Sequence, residues 1–451
     1  MSARSGRAGG IIRRVARVRE DRAARPRLGK ANEAERELDP AERESAAAML
    51  ADVEALCAFE GRRPGSDAER RAANHLASRL RELGCAAGIE ATYVHPQWPL
   101  VVAAHCLLGF AASLIAVPLP AVGFAAALLL AASLYFDLNT RLYLLRTLFF
   151  RRGSQNVVSR GARPDAPARL LLVAHYDAGR TGSLYGPGGF GRTAAFVRRL
   201  GLNPERLPFW SLALLVPILG ARLAGFDSPV TGAVQLLPTL TLLAAAFALA
   251  DIQLSPTSPG ANDNASGVAV ALALAAELRR RPPRNLDVWL VLTGGGETLG
   301  EGMRAFLRRH RRELDRETTF LLVLDSLGRG ELRYVASEGP AVPYAADGRL
   351  LELASTLGAP AEGADGPRAE PLHTATVSDA LPAHLRGLPA LALTTREQGA
   401  SAPANHHLPT DTPEGLDARA LVRARDFALS LIGALDRDLD RPQTGEEGAD
   451  A

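Results

Sequence analysis

The sequence predicts an α/β fold, a sheet covered by helices on both faces and interrupted by two apolar helical hairpins. Three observations carry this. Short apolar runs ending in polar turns alternate with helical patterns, as strand–helix–strand units do. Two pairs of charge-poor stretches separate those units: Pro99 to Val117 with Ala121 to Phe136, and Phe209 to Gly220 with Val230 to Ala250. Acid- and histidine-bearing segments follow the ends of several strands, where open α/β sheets place their sites.

Residues 1–40 are Arg-rich without an apolar core, so disorder is expected there and no signal peptide. Within 41–97, residues 41–83 read as two helices broken at Gly61-Arg62-Arg63-Pro64-Gly65-Ser66-Asp67. Ala72, Leu76, Leu80 and Leu83 fall at helical spacing in the second, and Gly84 ends it. Ala91 to His95 reads as a strand. Residues 98–150 form the first hairpin, and 151–206 return to the hydrophilic fold with strands at Asn156 to Ser159 and Leu170 to Ala174. The second hairpin occupies 207–250. Residues 251–435 then supply a helix from about Ser266 to Arg280 and strands at Val288 to Leu292, Phe320 to Leu324 and Ala390 to Thr394. The tail, 436–451, is expected to be disordered.

A net charge of +3 over 451 residues points to no nucleic-acid partner. Cys57, Cys85 and Cys106 are odd in number and widely spaced, which argues against a disulfide framework or a cysteine metal site. The first and last apolar stretches are long enough to cross a hydrocarbon core, which takes about 20 residues; Ala121 to Phe136 is marginal and Phe209 to Gly220 short. A lipid bilayer is therefore the expected environment of four spans. Arginines crowd the amino-terminal segment and the hydrophilic flanks of both hairpins, while the tips carry almost none beyond Arg222. Positive-inside bias then puts the hydrophilic domain in the cytoplasm. Within the apolar stretches only His105 titrates near neutral pH.

The candidate site is assembled from segments far apart in the chain. His175 and Asp177 sit two apart at a strand end, so both can point the same way, with Asp177 fixing the His175 ring. Asp263 lies in the Gly260-Ala261-Asn262-Asp263-Asn264-Ala265-Ser266-Gly267 turn, where its two oxygens can bridge two cations. Glu297 follows Gly296. Asp325 ends the very apolar run Phe320 to Leu324, where an uncompensated carboxylate is costly and a metal is a reasonable partner. His406-His407 precede Asp411-Thr412. Hard oxygens and imidazoles in this order are the donor set of a two-zinc site.

Together these segments resemble the M28 family of zinc peptidases, over about Glu42 to His95 and Ser154 to Ala434 apart from the apolar insertions. Further matches are Arg63-Pro64-Gly65-Ser66, Gln155-Asn156-Val157-Val158, and Ser378-Asp379 ahead of Arg386-Gly387-Leu388-Pro389-Ala390. The resemblance implies a three-layer sandwich with a central mixed, mostly parallel sheet. It also implies two zinc ions: His175 and Asp325 would complete one, Glu297 and His407 the other, and Asp263 would bridge them. His407 fits better than His406, standing four before Asp411. One departure concerns catalysis, because the family has two consecutive glutamates, base then ligand. Here Gly296-Glu297-Thr298 offers one carboxylate, so Glu297 is either ligand or base. Ala380 stands where the family often has His. Glu301 reads as an exposed helix residue.

The expected function is that of a membrane-anchored zinc hydrolase acting on a terminal peptide or related amide bond, with a peptide or small amide as substrate. A metal-binding relative that has lost turnover and binds peptides or proteins is the alternative.

Overall fold

The computed structural model describes residues 38–359 and 369–440. The expected amino-terminal disorder thus lies almost wholly outside the described residues. Helix α1 (Pro40–Cys57) starts at Asp39, whose side chain accepts from the Glu42 amide at 2.8 Å while Glu42 accepts from the Asp39 amide at 2.9 Å. This reciprocal cap satisfies amides that have no helical partner. Ser66 caps α2 (Asp67–Glu82) in a similar way. There follow β1 (Ala87–Val94), α3 (Trp98–Ile115), α4 (Pro120–Leu138), β2 (Arg152–Ser159), β3 (Ala168–His175), α5 (Phe190–Arg199), α6 (Leu207–Leu223) and α7 (Pro229–Leu254). The remainder comprises α8 (Gly267–Arg280), β4 (Leu286–Thr293), α9 (Glu301–Arg309), β5 (Thr319–Leu324), β6 (Glu331–Glu338), β7 (Tyr344–Ala345), α10 (Gly348–Gly358), β8 (Glu370–His373), α11 (Leu381–His384), β9 (Ala390–Arg396) and α12 (Ala418–Asp438).

The nine strands form one mixed sheet in the order β1-β2-β4-β3-β5-β9-β6-β7, with β8 on β6. Its centre, β4-β3-β5-β9, is parallel. On one flank β1 and β2 run antiparallel, and on the other β6 is antiparallel to β9. Strand β3 shows why the centre reads as unbroken apolar sequence. Leu170, Leu172 and Ala174 face a core shared with α1, α8 and α12, whereas Leu171 and Val173 face a second core with Met303, Phe306 and Ala383. Successive side chains alternate faces, so a strand covered on both sides is apolar at every position.

The carboxyl-terminal boundary needs correction. Helix α12 runs to Asp438, past the expected start of a disordered tail at 436, and the Asp436 carboxylate accepts from the Arg284 and Asn285 amides at 2.9 and 2.7 Å. Its alternation of Arg, Ala and Leu is the pattern of an amphipathic surface helix, with Phe427, Leu431 and Leu435 buried.

Helices α3, α4, α6 and α7 pack as a bundle: α3 on α4 and α7, α6 on α4 and α7. All four are long and apolar enough to cross a membrane, the third as a 20-residue stretch from Pro204 to Leu223. It is longer than the run Phe209 to Gly220 because a short turn, Pro204–Arg206, and Leu207-Pro208 precede that run and the helix continues through Arg222, which pairs with Asp227 at 2.6 Å. Inside the bundle lie Cys106, Ala127, Leu134, Leu212 and Leu242, while Leu129, Leu237 and Phe247 on the outside are more than 60% exposed. His105 is satisfied by the Val101 carbonyl and the Ser133 hydroxyl, at 2.8 and 2.9 Å.

Candidate metal centre

The site gathers where the parallel strands end. His175 is the last residue of β3, and Asp177 lies two further on. The Asp177 carboxylate accepts from the amides of Gly296 and Glu297 at 2.9 and 3.0 Å, while its Oδ1 lies 3.5 Å from His175 Nδ1. It therefore fixes the Gly296–Thr298 turn through two hydrogen bonds and lies beside the His175 ring. Gly296 packs against that ring, and a Cβ there would come within 2.4 Å of His175 Cβ. Next along, the Gly295 amide donates to Glu69, which is fully buried and also accepts from Gly65 and Ser154.

Asp263 sits in the tight turn before α8, in which the Asp263–Asn264 peptide is cis. The amides of Asn262 and Asp263 donate to the Asp411 carboxylate at 2.8 and 3.2 Å. From the other side, Arg62 donates to the carbonyls of Tyr176, Pro259 and Gly260. One arginine thus ties the end of β3 to the start of the Asp263 turn. Asn264 Oδ1 accepts from the Ser326 amide, and its Nδ2 donates to the Leu324 carbonyl, so this turn and the end of β5 share one scaffold.

Asp263 is the hub. Its Oδ1 lies 3.4 Å from His175 Nε2; its Oδ2 lies 2.8 Å from His406 Nδ1 and 3.6 Å from His407 Nε2. Glu297 Oε2 is 3.2 Å from His407 Nε2. Donor atoms of His175, Asp263 and Glu297 lie within 4.8 Å of one another, as do those of Asp263, His406 and His407. Burial disfavours the charged His175 ring, but Asp177 and Asp263 outweigh it and hold its pKa well above the ordinary value. The same balance, with Glu297 the main acid, raises His407 to about 9. Burial alone would raise Asp263, yet His175, His406 and His407 keep it well below the carboxylate range.

These residues fit a metal. Both ring nitrogens of His407 are buried without a hydrogen-bond partner, and its Nε2 faces Asp263 and Glu297. Unsatisfied buried imidazoles are costly, and imidazole plus carboxylate is a donor set zinc accepts. Asp325 stands apart from both clusters. It lines the same cavity, and its Oδ1 accepts from the Ser326 hydroxyl at 2.8 Å. His406, which the sequence set aside in favour of His407, is in the centre, stacked on His407 with ring centroids 4.0 Å apart.

Glu301 is corrected. Rather than an exposed helix residue, it is 4% exposed and accepts from the His95 amide, with His95 Nδ1 2.7 Å from its other oxygen. Its partner lies 206 positions away, beyond the reach of local pattern. A residue the motifs underweighted is Asp379. It lines the cavity, accepts from the Thr293 hydroxyl, and leaves Oδ1 without a partner. Burial pushes its pKa up to about 6, against the pull of His175.

The cavity has a volume of about 360 Å³, within the range of small-molecule sites. Its polar end holds His175, Asp263, Glu297, Asp379 and His407 with Arg396. Its other walls come from α3, α5, α6 and α7.

A mixed α/β sheet carrying a histidine–carboxylate cluster beyond its central strands defines a protein of the zinc-exopeptidase fold class. Residues 248–432 match the model of Peptidase family M28, and the chain carries an M28 domain there. Among solved structures it is similar to a glutaminyl cyclase from Tannerella forsythia, at 16% identity and TM-score 0.51, covering 86% of this chain and 98% of that one. It is likewise similar to BSAP, a zinc aminopeptidase from Bacillus subtilis, at 13% identity and TM-score 0.51, covering 86% and 95%. At these identities the likeness shows the fold. No curated protein matches the sequence.

Proposed function

We propose that the protein is a membrane-anchored, di-zinc M28-type hydrolase that cleaves a terminal peptide or related amide bond. The observation carrying this is the buried His407 Nε2, which has no hydrogen-bond partner and lies 3.6 Å from Asp263 and 3.2 Å from Glu297, with His175 Nε2 3.4 Å from the other Asp263 oxygen. In this reading His175 and Asp325 would hold one ion, Glu297 and His407 the other, and Asp263 would serve both. Zinc, when bound, lowers the pKa of water to about 7 and polarises a carbonyl.

The protein's own residues supply the rest. Asp177 orients His175 and fixes the turn carrying Glu297 through two amide bonds. Glu297 lies against His407 and so is best placed as a ligand. Proton transfer then needs a carboxylate the ligands do not use. Asp379 meets that requirement: it lines the cavity, leaves Oδ1 without a partner, and burial raises its pKa to about 6, toward the range in which a general base is effective.

The test is turnover of amino-acid amides and glutaminyl peptides by full-length, zinc-loaded protein, with and without chelator. Asp379→Asn should keep its zinc and lose about 10²–10⁴-fold in kcat. Glu297→Gln should lose zinc. A zinc-replete Asp379→Asn variant with native kcat would remove Asp379 from the mechanism. The absence of a side chain at Gly296 favours a second reading, a zinc-binding relative without turnover. Undetectable hydrolysis by a protein holding two zincs would establish it. Membrane anchoring is tested by whether the protein resists extraction at alkaline pH. The cytoplasmic placement of the domain is tested by labelling a cysteine placed at Phe226, between α6 and α7, from either side of the membrane.

A further inference from the structure

We infer that the substrate is an amphiphile: an amide with one long hydrocarbon chain, which occupies the space between the metal centre and the membrane helices. This rests on the amide-hydrolase reading above and adds the class of molecule hydrolysed. Hydrolysis breaks the C–N bond, the water oxygen going to the acyl carbon and its proton to the amine nitrogen.

Three observations converge. First, the cavity holding His175, Asp263, Glu297 and His407 is continuous with a wall of Trp98 and Val102 from α3 and Ala245, Ala248, Leu249 and Ile252 from α7. Among the described residues of that wall nothing is charged, so a peptide's polar backbone would be desolvated there without partners, whereas a hydrocarbon chain loses nothing. Second, this wall belongs to helices with lengths and outward faces suited to a bilayer, which is where long-chain amphiphiles reside. Third, α5 lies across the same cavity. Phe190, Thr193, Ala194 and Val197 line it, while Phe196, Leu200 and Leu202 at and beyond its end are 55–60% exposed, beside Arg192, Arg198 and Arg199. Exposed apolar side chains interleaved with arginine are the pattern of a helix lying in a membrane interface. The metal centre therefore opens toward the level of the headgroups, and the apolar end toward the hydrocarbon.

The experiment uses the full chain, zinc-loaded, in lipid nanodiscs. The probe is an alkyl hydroxamic acid carrying a terminal diazirine, so the head chelates the metal and the tail reports what it touches. Photolysis should label the α5 and α7 residues that line the cavity, and excess acetohydroxamic acid should abolish that labelling. In parallel, kcat/KM is measured for alanyl alkylamides and N-acyl alanines of increasing chain length. In at least one series it should rise with length, by up to about fourfold per methylene referred to aqueous concentration. Ala248→Trp, which fills the wall, should lower the long-to-short ratio at least tenfold.

Labelling confined to outward residues such as Leu237 and Phe247, or undiminished by the competitor, would overturn the inference. So would kcat/KM independent of length in both series. Competed labelling of the cavity without zinc-dependent turnover would instead overturn the hydrolase reading and support the amphiphile site.

Discussion

His175 and Gly296 show how tightly the centre is built. The space a Cβ would need at Gly296 is taken by the His175 ring. Restoring a glutamate there is therefore not a simple repair: even Gly296→Ala should displace His175, costing about 1–3 kcal/mol as overpacked cores do and lowering zinc content. Thermal unfolding and elemental analysis on the same samples check this. A Gly296→Ala protein with native stability and zinc would show that the ring has room to move. For the ligands themselves, His175→Ala and Asp263→Ala should each abolish stoichiometric zinc. Unchanged metal content in both would sink the site. Most of the centre was legible in the sequence because its residue types are rare at strand ends and chemically specific. A spacing rule cannot tell which of two adjacent rings turns inward; here both His406 and His407 approach Asp263. Glu69 and Arg62 were not singled out, since what ties them to the centre is a bond to a distant segment, Glu69 to Gly295 and Arg62 to Tyr176.

The element of most consequence is the turn between β4 and α9. Glu69, Asp177 and Asn156 accept its amides from the hydrophilic domain, while Arg146, just beyond the first hairpin, donates to the Thr298 carbonyl at 3.3 Å. Arg146 is itself fully buried, paired with Asp137 of α4 at 2.6 Å and 3.6 Å from Glu301, its guanidinium over the Tyr143 ring. Arg146→Met should destabilise the protein by about 3–5 kcal/mol, because Asp137 is left buried and uncompensated. Arg146→Met with Asp137→Leu should recover much of that loss, measured by denaturant unfolding of both variants. Equal losses in the two would place the effect in packing rather than in the ion pair. Elements differ in legibility for a related reason. The parallel strands announce themselves as unbroken apolar runs, whereas β6 alternates, with Leu332 and Tyr334 inside and Glu331 outside, and passes for loop. The short β7 and β8 carry too few residues for any period to show.

For the molecule as a whole, stability should depend on pH through Glu338, a buried group of β6 that accepts from the Ser378 amide. Burial lifts its pKa from 4.5 to about 8, so the folded state favours the protonated form. That contribution is complete below pH 4.5 and is lost as the pH rises to about 8, at up to about 1.4 kcal/mol per pH unit. Glu338→Gln should flatten the unfolding free energy over this window and be the more stable protein at its upper end. An unaltered profile would mean that Glu338 finds a charged-form partner in solution.

The link from Arg146 to Thr298 also bears on how such a protein could arise or be trimmed. An anchor that merely tethers can be exchanged or cut away, leaving a working domain behind. Here Arg146, just beyond the first hairpin, braces the turn carrying Glu297, and both hairpins line the cavity that Glu297 also lines. The apolar helices and the candidate metal centre share one cavity, so a version shortened by either hairpin would be missing part of that cavity's wall.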